Sequence, residues 1–271
     1  MSQQGLVDSH CHLDFNVFNI DRTEVINRAR EAGIVRMINP GIDLLTSQTA
    51  LELADQFPEV YAGVGVHPNE VQSLDFIQSG ILGHYLEHEK VIAVGEIGLD
   101  YYRQRTPRDI QVKAFEAQLE LAAQASLPVI VHNRDAGQEL LEILATWQAG
   151  LKLSNPDLAS RPGVLHSFSG TIDEAWRTIE LGFLVGITGP VTFKKAVDLQ
   201  HLVSLLPLES LLVETDAPFL TPHPWRGKRN EPAYVRYTAE KIADLRGESF
   251  ELIAQVTTAN ANRLFHWREL D

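Results

Sequence analysis

The stretch VDSHCHLDF, residues 7–15, sets His10 and His12 two positions apart with the chain's one cysteine between them. Side chains alternate faces along an extended strand, so both imidazoles point one way and Cys11 points the other. Such a pair can chelate a metal ion or can simply decorate a strand end. The choice depends on whether the rest of the chain supplies partner donors. Four more residues of metal-ligating type lie near the ends of apolar runs: Glu96 in VIAVGEIGLD, His132 in LPVIVHNR, His166 in PGVLHSFS and Asp216 in LLVETDAP. A carboxylate inside an apolar run is costly unless it is ionised and compensated, and a divalent cation is the most direct compensation. The six residues together predict a metal centre.

Six donors exceed the needs of one small tetrahedral ion and suit two. The natural partition gives His10, His12, Glu96 and Asp216 to one ion, and Glu96, His132 and His166 to the other, with Glu96 bridging. Paired ions of this kind lie ~3.5–4 Å apart and share a hydroxide that attacks a phosphorus or carbonyl centre. Asp216, a terminal carboxylate with one oxygen free, is expected to orient that hydroxide and take its proton. Glu96 and Asp216 are therefore the expected catalytic residues. Imidazole-rich sets suit zinc or manganese, whereas magnesium prefers oxygen donors.

These donors need a scaffold that gathers strand ends. Apolar runs at 6–13, 35–41, 60–68, 91–100, 127–134, 162–169, 183–190 and 211–218 read as eight buried strands. Segments at 22–32, 107–125, 173–181 and 232–265 read as helices, with Gly33 and Gly182 as stops and Thr106 as a start. The alternation predicts an α/β fold, a single (β/α)8 TIM barrel spanning 1–271 with closing C-terminal helices. All six donors then lie toward the carboxyl ends of their strands, the face where barrel enzymes build active sites. A doubly wound sheet would need a glycine-rich turn after the first strand, and DSHCHL contains no glycine. Cys11 is expected to face the helix layer. The polar stretch 150–163 reads as a loop. His84 and His88 read as a solvated helix face, and His201 and His266 as helical residues without a role.

Four features bear on substrate. His67 ends the run GVGVHP, and it reads either as a structural group or as a contact to a substrate phosphate. Arg134, two residues past His132, could form a bidentate phosphate contact. The segment PHPWRGKRNEP, 222–232, is either an ordinary turn or a phosphate-capturing loop. Capture by Arg226, Lys228 and Arg229 is the expectation, with Trp225 available to stack on a base or to pack under the loop. The formal charge of −13 excludes a broad basic surface for nucleic acid, so DNA ends or another phosphate ester are expected to enter a local pocket. No apolar run approaches the ~18 residues that span a bilayer, and MSQQGLVDSH does not read as a signal peptide. One cysteine fits a reducing compartment. The chain is expected to be cytoplasmic and monomeric.

The motifs DSHCHLDF, GVHP, GEIGLDYYR, VHNRDA, HSFSG and ETDAPFLTPHPWRGKRNEP, in order from residue 8 to residue 232, resemble those of the TatD family of metal-dependent hydrolases. The resemblance implies a (β/α)8 barrel of the metallo-dependent hydrolase type. It also implies magnesium- or other metal-dependent deoxyribonuclease activity, including 3′–5′ exonuclease action. The family's metal ligands match His10, His12, Glu96, His132, His166 and Asp216. Related barrels bridge their metals with a carboxylated lysine; here Lys90 precedes its strand, so a Glu96 bridge is expected. The expected function is thus a deoxyribonuclease using two divalent cations. The alternative is hydrolysis of a carboxylic ester or amide, as in an aminoacyl-ester deacylase, and a third reading is a binding protein whose metals only stabilise it.

Overall fold

Each short apolar strand is followed by a return segment, mostly helical, and successive strands pair side by side in chain order. The computed structural model describes residues 5–78 and 80–267. The reading of residues 1–4 and both extremities of the expected 1–271 span lie outside them. The strands are β1 (Leu6–Asp8), β2 (Ile34–Pro40), β3 (Val60–Val64), β4 (Val91–Asp100), β5 (Val129–Arg134), β6 (Gly163–Leu165), β7 (Leu184–Ile187) and β8 (Leu211–Val213). Every neighbouring pair is parallel. The return helices are α1 (Arg22–Glu31), α2 (Leu44–Gln56), α3 (Asp75–Gln78), α4 (Ile81–Leu86), α5 (Arg108–Ala125), α6 (Gly137–Ser154), α7 (Pro156–Ser160), α8 (Ile172–Glu180) and α9 (Val197–Leu205). Two more, α10 (Val235–Arg246) and α11 (Phe250–Phe265), follow the last strand. This is the expected (β/α)8 barrel.

The ring closes beyond the paired strands. Ser9 N donates to Val213 O (3.2 Å), Asp216 N to His10 O (2.8 Å) and His12 N to Ala217 O (2.7 Å). Cys11 and Ala217 form an isolated parallel bridge. β1 is therefore shorter than the apolar run 6–13, and His10 and His12 stand on the extension that sews the first strand to the last.

One residue from each strand fills the lower barrel: Val7, Ile38, Tyr61, Ile92, Ile130, Val164, Leu184 and Leu212, with Ala261, Leu264 and Phe265 of α11 beneath them. The second apolar layer lies between the barrel and its helices and contains fully buried Cys11, as the alternation of faces requires. Lys90 sits at the amino end of β4, where its Nζ donates to Pro58 O (2.8 Å) and Val60 O (3.3 Å). It cannot reach the carboxyl ends of the strands.

Local details depart from the sequence reading in four places. The expected loop 150–163 is largely helical: α6 runs to Ser154, and Asn155 caps α7 by accepting from Leu158 N with Pro156 at its first turn. Thr106 caps nothing, because its hydroxyl donates to Val71 O (2.9 Å). α8 starts one residue earlier than expected, where Thr171 and Glu174 form a reciprocal capping box. His266 lies just past α11 with a left-handed backbone (φ 45°).

The buried Asn260 of α11 donates to both Leu208 O (2.9 Å) and Leu211 O (2.8 Å), fastening the floor of the barrel to the start of β8. Asn260→Ala removes both bonds, leaving Leu208 O only its bond from Leu211 N, and is expected to cost about 1–3 kcal/mol, measured as a lowered denaturant midpoint at unchanged slope.

Candidate active site

Above the apolar ring the side chains turn polar with the period of a strand. His132 follows Ile130 by two, His166 follows Val164 by two, and Glu214 follows Leu212 by two, so all three share the inward face. β4 brings in Glu96, and the β1–β8 seam brings in His10, His12 and Asp216. All six expected donors meet at one end of the barrel.

The donor atoms form two sets that share Glu96. Glu96 Oε2 lies 3.6 Å from His10 Nε2 and 3.7 Å from His12 Nε2. The two ring nitrogens are 3.2 Å apart, and Asp216 Oδ1 is 3.8 and 3.6 Å from them. Donors ~2.1 Å from a common tetrahedral centre would stand roughly 3.4 Å from one another. The measured separations bracket that spacing, so these residues fit a divalent cation. Glu96 Oε1 faces the other way, 2.9 Å from His132 Nδ1 and 3.4 Å from His166 Nε2. Among the described residues, His10–His12–Glu96 and Glu96–His132–His166 each bring their donor atoms close enough together to share an ion, as do His10–His166–Glu214 and His67–Asp100–His132, while Asp216 borders the first of these groups.

Three further residues border these donors, and two of them, Glu214 and Asp100, were missed by sequence reasoning. Glu214, fully buried, accepts from Ser167 N and lies 3.3 Å from His166 Nδ1. Asp100 lies 3.4 Å from His132 Nε2 and accepts from Asn69 Nδ2 (2.7 Å) and Arg103 N (2.8 Å). Each carboxylate thus fixes the orientation of a histidine whose other nitrogen faces Glu96. His67 is the third: its Nδ1 accepts from Asn69 N (3.1 Å), which puts its proton on Nε2, 3.7 Å from Glu96 Oε1. It points at the carboxylate within the cluster. Glu214 was legible in principle, since it stands two residues before Asp216 on the same face.

Burial and neighbouring charge set the protonation states. Burial opposes ionisation of Glu96, but His166, His67, His10 and His132 outweigh it and hold the carboxyl well below its ordinary range. Burial also disfavours charge on His166 and His132, yet Glu96 with Glu214, and Asp100 with Glu96, hold those imidazoles above the usual value. Burial dominates elsewhere. It pushes His10 down to about 4, His67 down to about 3 and Asp216 up to about 6.

A cavity of about 330 Å³ opens over the cluster, lined by His132, His166 and Asp216 with Tyr102, Arg134 and Phe219 at its edge. Arg134 therefore stands where the sequence placed it, its guanidinium over the Tyr102 ring (4.9 Å). The basic loop does not line this cavity. Arg229 is paired with Asp21 (2.8 and 2.7 Å), and Trp225 is stacked on Tyr234 (5.6 Å, 8°). Arg226 lies over Phe193 and Lys228 over Trp225. The expected phosphate-capturing loop is, in this arrangement, pinned to the rim by its own aromatic and acidic neighbours. His84 is exposed and His88 pairs with Asp55 (3.2 Å), so neither joins the cluster.

Imidazole and carboxylate donors gathered at the carboxyl end of a (β/α)8 barrel make a site suited to divalent metal ions. The profile of the family described as TatD related DNase matches residues 7–266. The chain belongs to the TatD family. It is 41% identical over 262 residues to an uncharacterized metal-dependent hydrolase, YabD, of Bacillus subtilis, covering 96% of this chain and 98% of that one. It is 37% identical over 267 residues to the 3′-5′ ssDNA/RNA exonuclease TatD of Erwinia tasmaniensis, covering 96% of this chain and 100% of that one. Among solved structures, the TatD homologue YjjV of Escherichia coli is similar with a TM-score of 0.87 and 33% identity, covering 96% and 98% of the two chains.

Two outcomes follow from the geometry. Glu214→Gln keeps the shape but weakens the hold on His166, and metal affinity is expected to fall about 10–100-fold with an unchanged circular dichroism spectrum. Because His166 and His132 are held above the ordinary value of 6.5, metal uptake near neutral pH must displace protons from them. Apparent metal affinity should therefore fall as pH is lowered. Calorimetric titration in two buffers of different ionisation heat should show net proton release.

Proposed function

We propose that the chain is a metal-dependent phosphodiesterase that removes nucleotides from the 3′ end of single-stranded DNA, with two divalent cations held at the barrel mouth. His10, His12, Glu96 and Asp216 would hold one cation, and Glu96, His132 and His166 the other. The observation that carries this reading is the split of Glu96, one oxygen toward each set of donors. Divalent cations there supply Lewis acidity toward a phosphoryl oxygen and acidify a water.

The chain's own residues supply the rest. Asp216 Oδ1 faces His10 and His12, so Oδ2 is the atom to which the attacking water's proton goes. Asp100 and Glu214 keep His132 and His166 from rotating. Arg134 and Arg103 are the cationic side chains placed to meet a phosphate at the cavity. The substrate class comes from the relatives named for ssDNA/RNA exonuclease action. It also fits a charge of −13, which favours an end entering a pocket over a long duplex footprint.

The test is degradation of 5′-labelled single-stranded DNA by purified, metal-loaded protein. Glu96→Ala and Asp216→Ala should each lower turnover by at least about 100-fold, and a chelator should abolish it until metal is restored. Undiminished cleavage by both variants would remove the proposed site. Turnover of carboxylic or aminoacyl esters without any action on phosphodiesters would instead favour the ester- or amide-hydrolase alternative.

A further inference from the structure

Three of the exposed large apolar side chains, Val17, Leu45 and Phe219, stand around one groove beside the metal-ligand cluster. Leaving them in water is unfavourable, so their gathering at one place marks a binding surface. The groove has a volume of about 700 Å³ and is walled by Phe15 on its inner side. Phe15 stacks on His12, with ring centroids 4.8 Å apart, and meets Phe219 edge-on at 5.7 Å. Phe219 also lines the cavity that contains His132, His166 and Asp216. Groove and reaction centre are thus continuous through one aromatic ring.

Most of the polar side chains at the groove are already engaged, and Asn16 accepts from Asn19 Nδ2 (3.3 Å). Thr46 and Asp43 form the capping box of α2, and Thr49 donates to Leu45 O (3.1 Å). Asp14 accepts from Asn39 Nδ2 (2.9 Å), and Arg229 is held by Asp21. The groove therefore offers flat apolar faces and no committed hydrogen-bond pattern. That suits stacking on any base, without selection among bases.

A second cavity adjoins the site on another side, sharing Asn133 and Ser169 with it. Its lining carries Asp135, Glu174 and Asp198 and no Lys or Arg. A phosphate chain is repelled there.

We propose that the groove of Phe15, Val17, Leu45 and Phe219 is the subsite for the nucleobase on the retained side of the scissile phosphodiester, with Phe219 as its stacking face. The strand then runs from the reaction centre over this groove and away from the acidic cavity. A base in a duplex is already stacked and paired, so only an unpaired strand can use the groove. The proposal rests on the nuclease reading above.

The test compares wild type and Phe219→Ala on two single-stranded oligodeoxynucleotides, one intact and one with an abasic residue at the penultimate position. Loss of the base should raise KM for wild type roughly tenfold or more. Phe219→Ala should raise KM for the intact strand to a similar degree and be indifferent to the abasic residue, with Phe219→Trp restoring the sensitivity. Metal content, measured on each variant, should be unchanged. Wild type that cleaves both strands with equal KM, or losses that simply multiply in the variant, would overturn the subsite while leaving the nuclease reading intact. Wild type that cleaves neither strand would overturn both.

Discussion

A carboxylate withdrawn from water must be surrounded by positive charge or by groups that can become positive, and Glu96 imposes that requirement on the whole barrel. It stands near the middle of the long, wholly buried strand β4. Imidazoles approach it from the β1 extension, from the loop after β3, and from the ends of β5 and β6. Those imidazoles need partners of their own, which explains Asp100 on one side and Glu214 on the other. This layer of charge stands on an apolar lower barrel.

That division also separates two duties along the barrel axis. The amino end is closed by α11 and by Lys90, whose ammonium satisfies carbonyls and lies 4.5 Å from the Tyr61 ring. The carboxyl end is where polar side chains replace apolar ones at the same strand period. Arg28, Asp21, Arg229 and Glu231 knit the rim between α1 and the loop after β8. The rim is thus stiffened by ion pairs, while the floor is stiffened by packing.

Much of this was legible in the sequence because it depends on local pattern. Strand runs, helix stops at Gly33 and Gly182, and donors placed near strand ends are all properties of short segments. Asp100 escaped notice because it acts on a histidine from another strand, and Glu214, though two residues before Asp216, likewise faces a histidine far away in the chain. The basic loop shows the same limit of local pattern. Arg226, Lys228 and Arg229 are a visible cluster, but the Asp21 that neutralises Arg229 lies 208 positions away. In 150–163, polar composition suggested a loop, yet buried Leu151 and Leu158 join consecutive helices in a small apolar cluster of their own with Ala159, Ala123 and Trp147.

The seam that joins the first strand to the last has a consequence for biosynthesis. His10 and His12 are made well before Asp216 and Ala217, whose backbone groups align them. Until β8 emerges and docks, the barrel has two open edges and the early histidines lack their alignment. A growing or truncated chain therefore holds His10 and His12 without the Asp216 that faces them. Closing the ring and assembling that corner of the barrel mouth are one event.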